Sequence, residues 1–405
     1  MRKLFLIVFI FIPKINGFNQ TSEDYFNLGT VKDSLKDYQG AIADYTKAIE
    51  LKPDFEKAYK ERGFSKYNLQ NYLGAILDYN KAIEIKPKYE EAFNNRGNAK
   101  FMLKSFQEAI DDYTKAIEIK PDYSRAYYNR GNVMYSLQDY KKAISDYTKA
   151  LENNSGYTDA YYNRGHAELI LKNYQDAIGD YSKAIEIKSD FAEAYCYRGY
   201  AKFYLLNYQE AIEDFTRAIK MKPDYAKAYC ARGDALNAKQ DYENATINFS
   251  KAIEIKSDYA EAYLKRGLVK NGLKKYHEAN KDITQAIEIK PDYAEAYCDR
   301  GGIKFLLTDF QGAIMDLTKA IELKSDYTEA YIKRGYAKIS LHDFQGTIDD
   351  FTKVIELKPG YAEAYYYRGI AKQMIGQKDS GCLDMNKAQE LGNKDANDAI
   401  IKYCK

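Results

Sequence analysis

The sequence has no tryptophan, only three histidines and almost no net charge over its 405 residues. Lysine and arginine number 61 and aspartate and glutamate 59, so no long-range electrostatic field would attract nucleic acid or an anionic membrane. The histidines, His166, His277 and His342, are far apart, and no two of them have the spacing of metal ligands. These shortages argue against a nucleic-acid partner and against a metal site.

Sequence motifs that carry catalysis are also absent. The chain has no GxSxG or HExxH motif and no glycine-rich phosphate-binding loop. Of its 24 glycines, eleven form a series with a spacing of 34 residues: Gly29, Gly63, Gly97, Gly131, Gly165, Gly199, Gly233, Gly267, Gly301, Gly335 and Gly369. We therefore predict that the protein is not an enzyme and uses no cofactor.

The constant spacing of these glycines indicates tandem repeats rather than separate globular domains. Each repeat, numbered 1 to 11 by its glycine, contains two amphipathic segments of about 14 residues, which suit helices of about four turns. Proline follows the second segment in six repeats, where it would stop the helix. The sequence thus predicts an all-α fold of paired helices in one elongated domain.

The aromatic and small residues of repeat 2 identify the type of repeat. They are Tyr59, Gly63, Tyr72, Ala75, Tyr79, Ala82 and Pro87. Residues of these types at these offsets resemble the tetratricopeptide repeat (TPR). The resemblance extends over residues 20–393 in eleven tandem repeats and implies a right-handed superhelical solenoid of helix-turn-helix units. Residues 394–405 are predicted to form a C-terminal capping helix.

Charged residues recur at fixed positions in the repeats. An arginine precedes the glycine in ten repeats, where the family usually has leucine, and an aspartate lies on the second helix in ten repeats. For pairs such as Arg62 and Asp78 we expect either an ion pair within the helix layer or two independently solvated charges. Three D-x-x-E segments are interpreted as capping boxes at the starts of first helices: Asp258–Glu261, Asp292–Glu295 and Asp326–Glu329.

The first helices also carry polar and aromatic residues outside their core face. In tetratricopeptide arrays this face lines the concave groove, so the resemblance places a peptide-binding surface there. The predicted set is Asn95, Asn98, Tyr128, Asn129, Asn132, Tyr135, Tyr162, Asn163, His166, Tyr197 and Tyr200. Successive asparagines could hold an extended backbone, as in the asparagine ladders of similar domains, whereas the tyrosines could instead be half-buried between repeats. The ladder is predicted to end near repeat 6, because repeats 7 and 8 replace it with Ala231, Asp234, Lys265 and Leu268.

The first residues of the chain have the pattern of a secretory signal peptide. Arg2 and Lys3 precede a short apolar run at residues 4–12, which is too short to span a membrane, and a polar stretch with Gly17 follows. We predict that residues 1–19 are removed, with a buried first helix as the alternative. The mature protein is then exported to a periplasmic or extracellular location, without membrane insertion after signal cleavage.

The five cysteines fall into two groups. Cys382 and Cys404 lie in the terminal elements, where an exported protein could form a disulfide, although free buried thiols are the alternative. Cys196, Cys230 and Cys298 occupy equivalent positions of three repeats and are predicted to act as small apolar residues.

The leading functional prediction is a non-enzymatic scaffold that binds protein or peptide segments in the concave groove, mainly through repeats 2 to 6. Two alternatives remain open. One is a structural or assembly protein that uses convex or end surfaces, and the other is a glycan-binding module, because tyrosines beside amides also suit sugars.

Overall fold

The computed structural model describes residues 20–404, and this part of the chain contains 23 α-helices and no β-strand. The predicted signal peptide at residues 1–19 lies outside the described residues. The helices are α1 (Ser22–Ser34), α2 (Tyr38–Leu51), α3 (Glu56–Asn68), α4 (Tyr72–Ile85), α5 (Glu90–Met102), α6 (Phe106–Ile119), α7 (Ser124–Ser136), α8 (Tyr140–Asn153), α9 (Thr158–Ile170), α10 (Tyr174–Ile187), α11 (Ala192–Tyr204), α12 (Tyr208–Met221), α13 (Ala226–Ala238), α14 (Tyr242–Ile255), α15 (Ala260–Gly272), α16 (Tyr276–Ile289), α17 (Ala294–Leu306), α18 (Phe310–Leu323), α19 (Thr328–Ser340), α20 (Phe344–Leu357), α21 (Ala362–Met374), α22 (Lys378–Glu390) and α23 (Ala396–Tyr403).

Helices α1 to α22 form eleven helix-turn-helix pairs, each with one repeat glycine on its first helix. The pairs group into two compact units, residues 20–189 and residues 190–404, which are called unit 1 and unit 2. Each unit is a stack of helix pairs, and the all-α class of a TPR solenoid is confirmed. None of the helices between residues 20 and 404 combines the length and apolarity needed to cross a bilayer.

The turn inside each repeat contains one residue with a left-handed backbone. In repeat 2, α3 ends at Asn68, Gln70 has a φ of 61°, and Asn71 caps α4 by accepting a hydrogen bond from the Gly74 N–H at 3.0 Å. Ten such turn residues are not glycine and have φ between 60° and 64°. Only Gly376, in repeat 11, is the residue type that adopts this conformation without steric cost.

The three predicted capping boxes are wrong. The helices concerned begin at Ala260, Ala294 and Thr328, after the N-cap residues Tyr259, Tyr293 and Tyr327. None of these tyrosines makes a side-chain capping bond, and each aspartate lies one residue before its N-cap. Asp258 instead accepts a hydrogen bond from the Ala260 N–H through its backbone carbonyl, at 3.2 Å. The D-x-x-E spacing therefore places the helix start one residue too early.

The repeat glycines allow the two helices of a pair to approach closely. In repeat 4 a Cβ added at Gly131 would lie 2.7 Å from Cε1 of the buried Tyr147, which is closer than real Cβ atoms approach a neighbour. Ala143 and Ala150 are fully buried on the same second helix. Small residues on both helices thus leave room for one large ring, which fills the space between them.

Of the two arrangements expected for the Arg–Asp pairs, the ion pair is confirmed in nine repeats. Arginine Nη2 and the carboxylate oxygen are 2.6–2.7 Å apart in each, and the aspartate side chains are almost buried. In repeat 4, Arg130 donates through Nε and Nη2 to Asp146, at 2.9 and 2.7 Å. Its third nitrogen group, Nη1, donates to the hydroxyl of Thr114 on the second helix of the preceding repeat, at 2.9 Å. In eight of these nine repeats the guanidinium joins its own repeat to the preceding one in this way.

Short helix α23 closes unit 2 and is tied to it covalently. Helix α23 packs against α22, and Cys382 and Cys404 are joined by a disulfide with sulfur atoms 2.00 Å apart. The other three cysteines, Cys196, Cys230 and Cys298, are free and buried. Burial raises the pKa of the Cys298 thiol to about 11, so this group stays protonated at neutral pH.

Candidate functional site

The first-helix face of unit 1 carries nine of the residues predicted for the peptide-binding surface. They lie on α5, α7 and α9 and are all half-buried: Asn95, Asn98, Tyr128, Asn129, Asn132, Tyr135, Tyr162, Asn163 and His166. At about 100° per residue, Asn95, Asn129 and Asn163, two residues before the repeat glycine, face away from the second helix. The tyrosines, three residues before or four after the glycine, lie nearer the side that faces the second helix, and Asn98, Asn132 and His166, one residue after it, lie between these two sides.

The asparagines of this face are hydrogen-bonded to the framework and to each other. Asn129 Nδ2 donates to Oδ1 of Asn94 on the preceding first helix, at 2.9 Å. Asn163 Nδ2 donates to Asn132 Oδ1 and to the Tyr128 hydroxyl, both at 3.0 Å. The amides thus connect neighbouring repeats, a role that the sequence alone did not indicate.

The buried ring of the second helix also reaches this face. Tyr113 donates its hydroxyl hydrogen bond to Asn98 Oδ1 at 2.8 Å, and Tyr147 donates equivalently to Asn132 in the next repeat at 2.8 Å. These asparagines satisfy a phenol that would otherwise be buried without a partner, which is a costly arrangement. Asparagine one residue after the glycine is therefore explained by packing as well as by recognition.

Four of the asparagines nevertheless keep part of their amide available. Within residues 20–404, Nδ2 of Asn95 and Asn98 and Oδ1 of Asn129 and Asn163 make no hydrogen bond. The opposite end of each amide is held, at distances of 2.8–3.3 Å. The face therefore presents two donors and two acceptors whose orientations are fixed by the fold.

The tyrosines of unit 1 pack against rings of the framework. The Tyr128 ring lies 4.7 Å from Tyr157 and 5.8 Å from Tyr147, and Tyr135 makes an edge contact with Tyr140 at 5.3 Å. Burial raises the pKa of Tyr128. These contacts use much of the ring surface in intramolecular packing, so only part of each ring is left for a partner.

His166 continues the aromatic packing in repeat 5. Its ring lies 5.0 Å from the Tyr162 ring and 6.1 Å from the buried Tyr181, and both contacts are edge-on. Within the described chain, no group of histidine, cysteine or acidic side chains could hold a metal ion. His166 therefore lies in an aromatic cluster.

The remaining predicted residues, Tyr197 and Tyr200, lie on α11 in unit 2. Lys227 donates to the Tyr197 hydroxyl at 2.8 Å, and its Nζ lies 4.5 and 5.4 Å from the centres of the two rings. Tyr200 also lines a cleft of about 370 Å³, in which Lys265 and Asp234 form an ion pair at 2.6 Å. Charged side chains thus occupy this face of unit 2 where unit 1 has amides.

A second pocket of unit 2 lies where a side chain is missing. Gly302 on α17 leaves a space of about 250 Å³ between α15 and α19. The lining includes the apolar side chains of Ile303 and Phe305. Asn271 is also a lining residue, and its Oδ1 is buried away from the open space without a hydrogen-bond partner among the described residues. Lys333 also lines the pocket, and its Nζ lies 2.7 Å from an oxygen of Glu329 and 3.7 Å from an oxygen of Asp299.

Comparison with family models identifies the family of the chain. A tetratricopeptide repeat model matches residues 22–55, 90–123, 124–157, 158–191 and 192–225. A TPR repeat model matches residues 65–104 and 233–272, and a further tetratricopeptide repeat model matches residues 260–293. Together these matches cover more than half of the sequence, and the chain belongs to the tetratricopeptide repeat family.

The chain is also similar to solved structures. YrrB, described as a TPR protein with an unusual peptide-binding site, is 27% identical over 45% of this chain and 95% of its own length, with a TM-score of 0.43. MamA is 28% identical over 41% of this chain and 96% of its own length, with a TM-score of 0.38. Yeast Tom70 is 18% identical over 93% of both chains, with a TM-score of 0.42. No curated protein sequence matches the chain.

Proposed function

We propose that the protein is a non-catalytic scaffold that binds an extended protein or peptide segment on the first-helix face of repeats 3–5. The observation that best supports this proposal is the row of four asparagines in unit 1, each of which keeps one amide group without a hydrogen bond. Asn95 and Asn98 offer donors, and Asn129 and Asn163 offer acceptors. An extended backbone presents both carbonyl and N–H groups, so it complements such a row without requiring a particular sequence.

The hydrogen bonds within this face lower the entropy cost of binding. Asn98 is held by Tyr113, and Asn163 is held by Asn132 and Tyr128. Side chains that are fixed before binding lose less rotamer freedom when a partner arrives. Half-buried tyrosines beside them add apolar contact to a surface that would otherwise be entirely polar.

The Gly302 pocket supports the same function for unit 2. Its volume of about 250 Å³ suits one large side chain of a partner, and its lining is mainly apolar. Apolar lining residues such as Ile303 and Phe305 favour an aromatic or large aliphatic side chain. We propose that one such side chain of a bound peptide enters this pocket.

The test uses short peptides selected from a random display library on the mature chain, residues 20–405. Asn95, Asn129 and Asn163 are changed together to alanine. Losing three backbone hydrogen bonds of about 1 kcal/mol each weakens binding on the order of 100-fold. A matched control changes three exposed asparagines at helix ends, Asn68, Asn153 and Asn173, to alanine, and we expect the affinity to stay unchanged.

The other outcomes separate the alternatives. Unchanged peptide affinity in the first triple variant refutes peptide binding through the row of amides and favours binding by convex or end surfaces. Competition by soluble oligosaccharides, with no peptide selected, favours glycan binding. Thermal melting of both triple variants is measured alongside, because Asn129 and Asn163 also connect repeats. Lost binding supports the proposal only where the melting temperatures of the two variants agree.

We also propose that the protein is exported and loses residues 1–19. The basic and apolar pattern of these residues supports this proposal, and the Cys382–Cys404 disulfide is typical of an oxidising compartment. The intact mass of the protein recovered from its own extracytoplasmic fraction tests it. A chain that still begins at Met1 refutes it.

A further inference from the structure

Repeat 7 breaks the series of Arg–Asp pairs. Arg232 occupies the arginine position, but Asn248 stands where nine other arginines find an aspartate. Arg232 Nε donates to Asn248 Oδ1 at 2.8 Å, and Nη1 donates to Thr216 of the preceding repeat at 3.0 Å. Its Nη2, which binds the carboxylate in the other repeats, makes no hydrogen bond with any described residue.

The substitution leaves this guanidinium without a counter-charge. Asn248 is 6% exposed and donates its own Nδ2 to the Asn244 carbonyl at 2.8 Å. Burial lowers the pKa of Arg232, whereas hydrogen bonding to Asp146 raises the pKa of Arg130 in repeat 4. The two directions are opposite because a buried cation is stabilised only when an anion accompanies it.

An open cleft of about 450 Å³ adjoins this guanidinium. Its lining includes Arg232, Asn248 and, on the next turns of α14, Ser250, Lys251 and Glu254. Lys251 and Glu254 form an exposed pair at 2.6 Å, so they add little net charge. Ser250 accepts a hydrogen bond from Arg266 of repeat 8 and donates to the Thr246 carbonyl. The guanidinium of Arg232 is therefore the main unbalanced charge at the cleft.

We propose that Arg232 and this cleft form a binding site for one carboxylate group supplied from outside the chain. A guanidinium donates to a carboxylate with favourable geometry, and the same side chain binds a carboxylate in nine other repeats. The carboxylate comes from a free organic acid or from an acidic residue of a partner. The site uses a framework position and is independent of the peptide-binding proposal for unit 1.

The experiment measures hydrogen exchange of the mature chain by mass spectrometry in sodium acetate and in sodium chloride of equal ionic strength. Acetate at ten times its dissociation constant is expected to slow exchange of α13 and α14 about tenfold, because it binds only the folded form. Helices α7 and α8 are the internal control, because Asp146 already forms an ion pair with Arg130 there. Their exchange should not differ between the two salts.

Two variants make the test decisive. Asn248→Asp places a carboxylate on Arg232, so we expect stronger protection in chloride and no further effect of acetate. Arg232→Met removes the guanidinium and should also abolish the acetate effect.

A short glutamate peptide replaces acetate in a second arm. Protection by the peptide alone identifies a residue of a partner as the source of the carboxylate, and protection by acetate alone identifies a free acid. No protection by either, or an acetate effect that persists in Asn248→Asp, overturns the proposal.

Discussion

Changing Asp146 to asparagine would give repeat 4 the polar arrangement that repeat 7 has naturally. Repeat 4 is the clearest place for this change because Asp146 faces one cation, Arg130, whereas Asp112 in repeat 3 also pairs with Lys100 at 2.9 Å. Met134 occupies the corresponding lysine position in repeat 4. The variant therefore removes one carboxylate from one guanidinium and changes little else.

The size of the effect follows from the geometry. The Arg130 and Asp146 side chains are 20% and 10% exposed, and two charge-assisted hydrogen bonds of 2.9 and 2.7 Å join them. Removing one partner of a buried pair costs about 3–5 kcal/mol. Asparagine keeps the Nε bond, as Asn248 does, and the guanidinium keeps some solvent, so we expect a loss of about 2 kcal/mol.

Hydrogen exchange of α7 and α8 measures this loss locally, since a long repeat array does not unfold as one cooperative unit. A loss of about 2 kcal/mol corresponds to roughly 30-fold faster exchange through opening of these helices. Changing Arg130 to methionine in the same chain should recover part of the protection, because no uncompensated charge then remains. Equal exchange of Asp146→Asn and the unchanged protein would refute the reasoning.

Three further predictions concern other features of the fold. Thr308 has a φ of 62°, so Thr308→Gly should slow hydrogen exchange of α17 and α18 about two- to fivefold, equivalent to about 0.5–1 kcal/mol, while Gly376→Ala should speed exchange of α21 and α22; the opposite signs would contradict the strain argument. Alkylation of the denatured but unreduced chain should label three thiols, and five after reduction; five before reduction would exclude the Cys382–Cys404 bridge. Gly302→Leu should fill the 250 Å³ pocket and weaken the binding of peptides that carry a large apolar residue at least tenfold without lowering the melting temperature; unchanged affinity would argue against this pocket.

The sequence predicted the features that repeat. A spacing of 34 residues predicted the helix pairs, and the glycine on every first helix, opposite an aromatic residue in eight of the eleven repeats, marks where the two helices approach, as at Gly131 and Tyr147. The Arg–Asp pairs could be anticipated because complementary charges recur together. A repeated pattern averages over local detail, so it is reliable for the framework that every repeat shares.

The features that could not be predicted depend on single residues or on geometry. The capping boxes failed because Asp258 lies one residue before the N-cap, which the spacing of D-x-x-E does not reveal. The Gly302 pocket exists because a side chain is missing, and a single additional glycine in the sequence does not indicate that neighbouring helices enclose the space. The dual role of Asn163, which holds Asn132 and Tyr128 across a repeat boundary, depends on distances between helices that are far apart in sequence.

The hydrogen bonds from arginine Nη1 give the stack of repeats a direction. In nine repeats this group donates to a side-chain oxygen on the second helix of the preceding repeat. Each of these arginines therefore needs the preceding repeat for one of its hydrogen bonds. Deleting repeats from the C-terminal end leaves every remaining arginine with its acceptors. Deleting them from the N-terminal end leaves the first remaining arginine without one. Truncations that remove equal numbers of repeats should therefore differ in stability according to the end from which they are made.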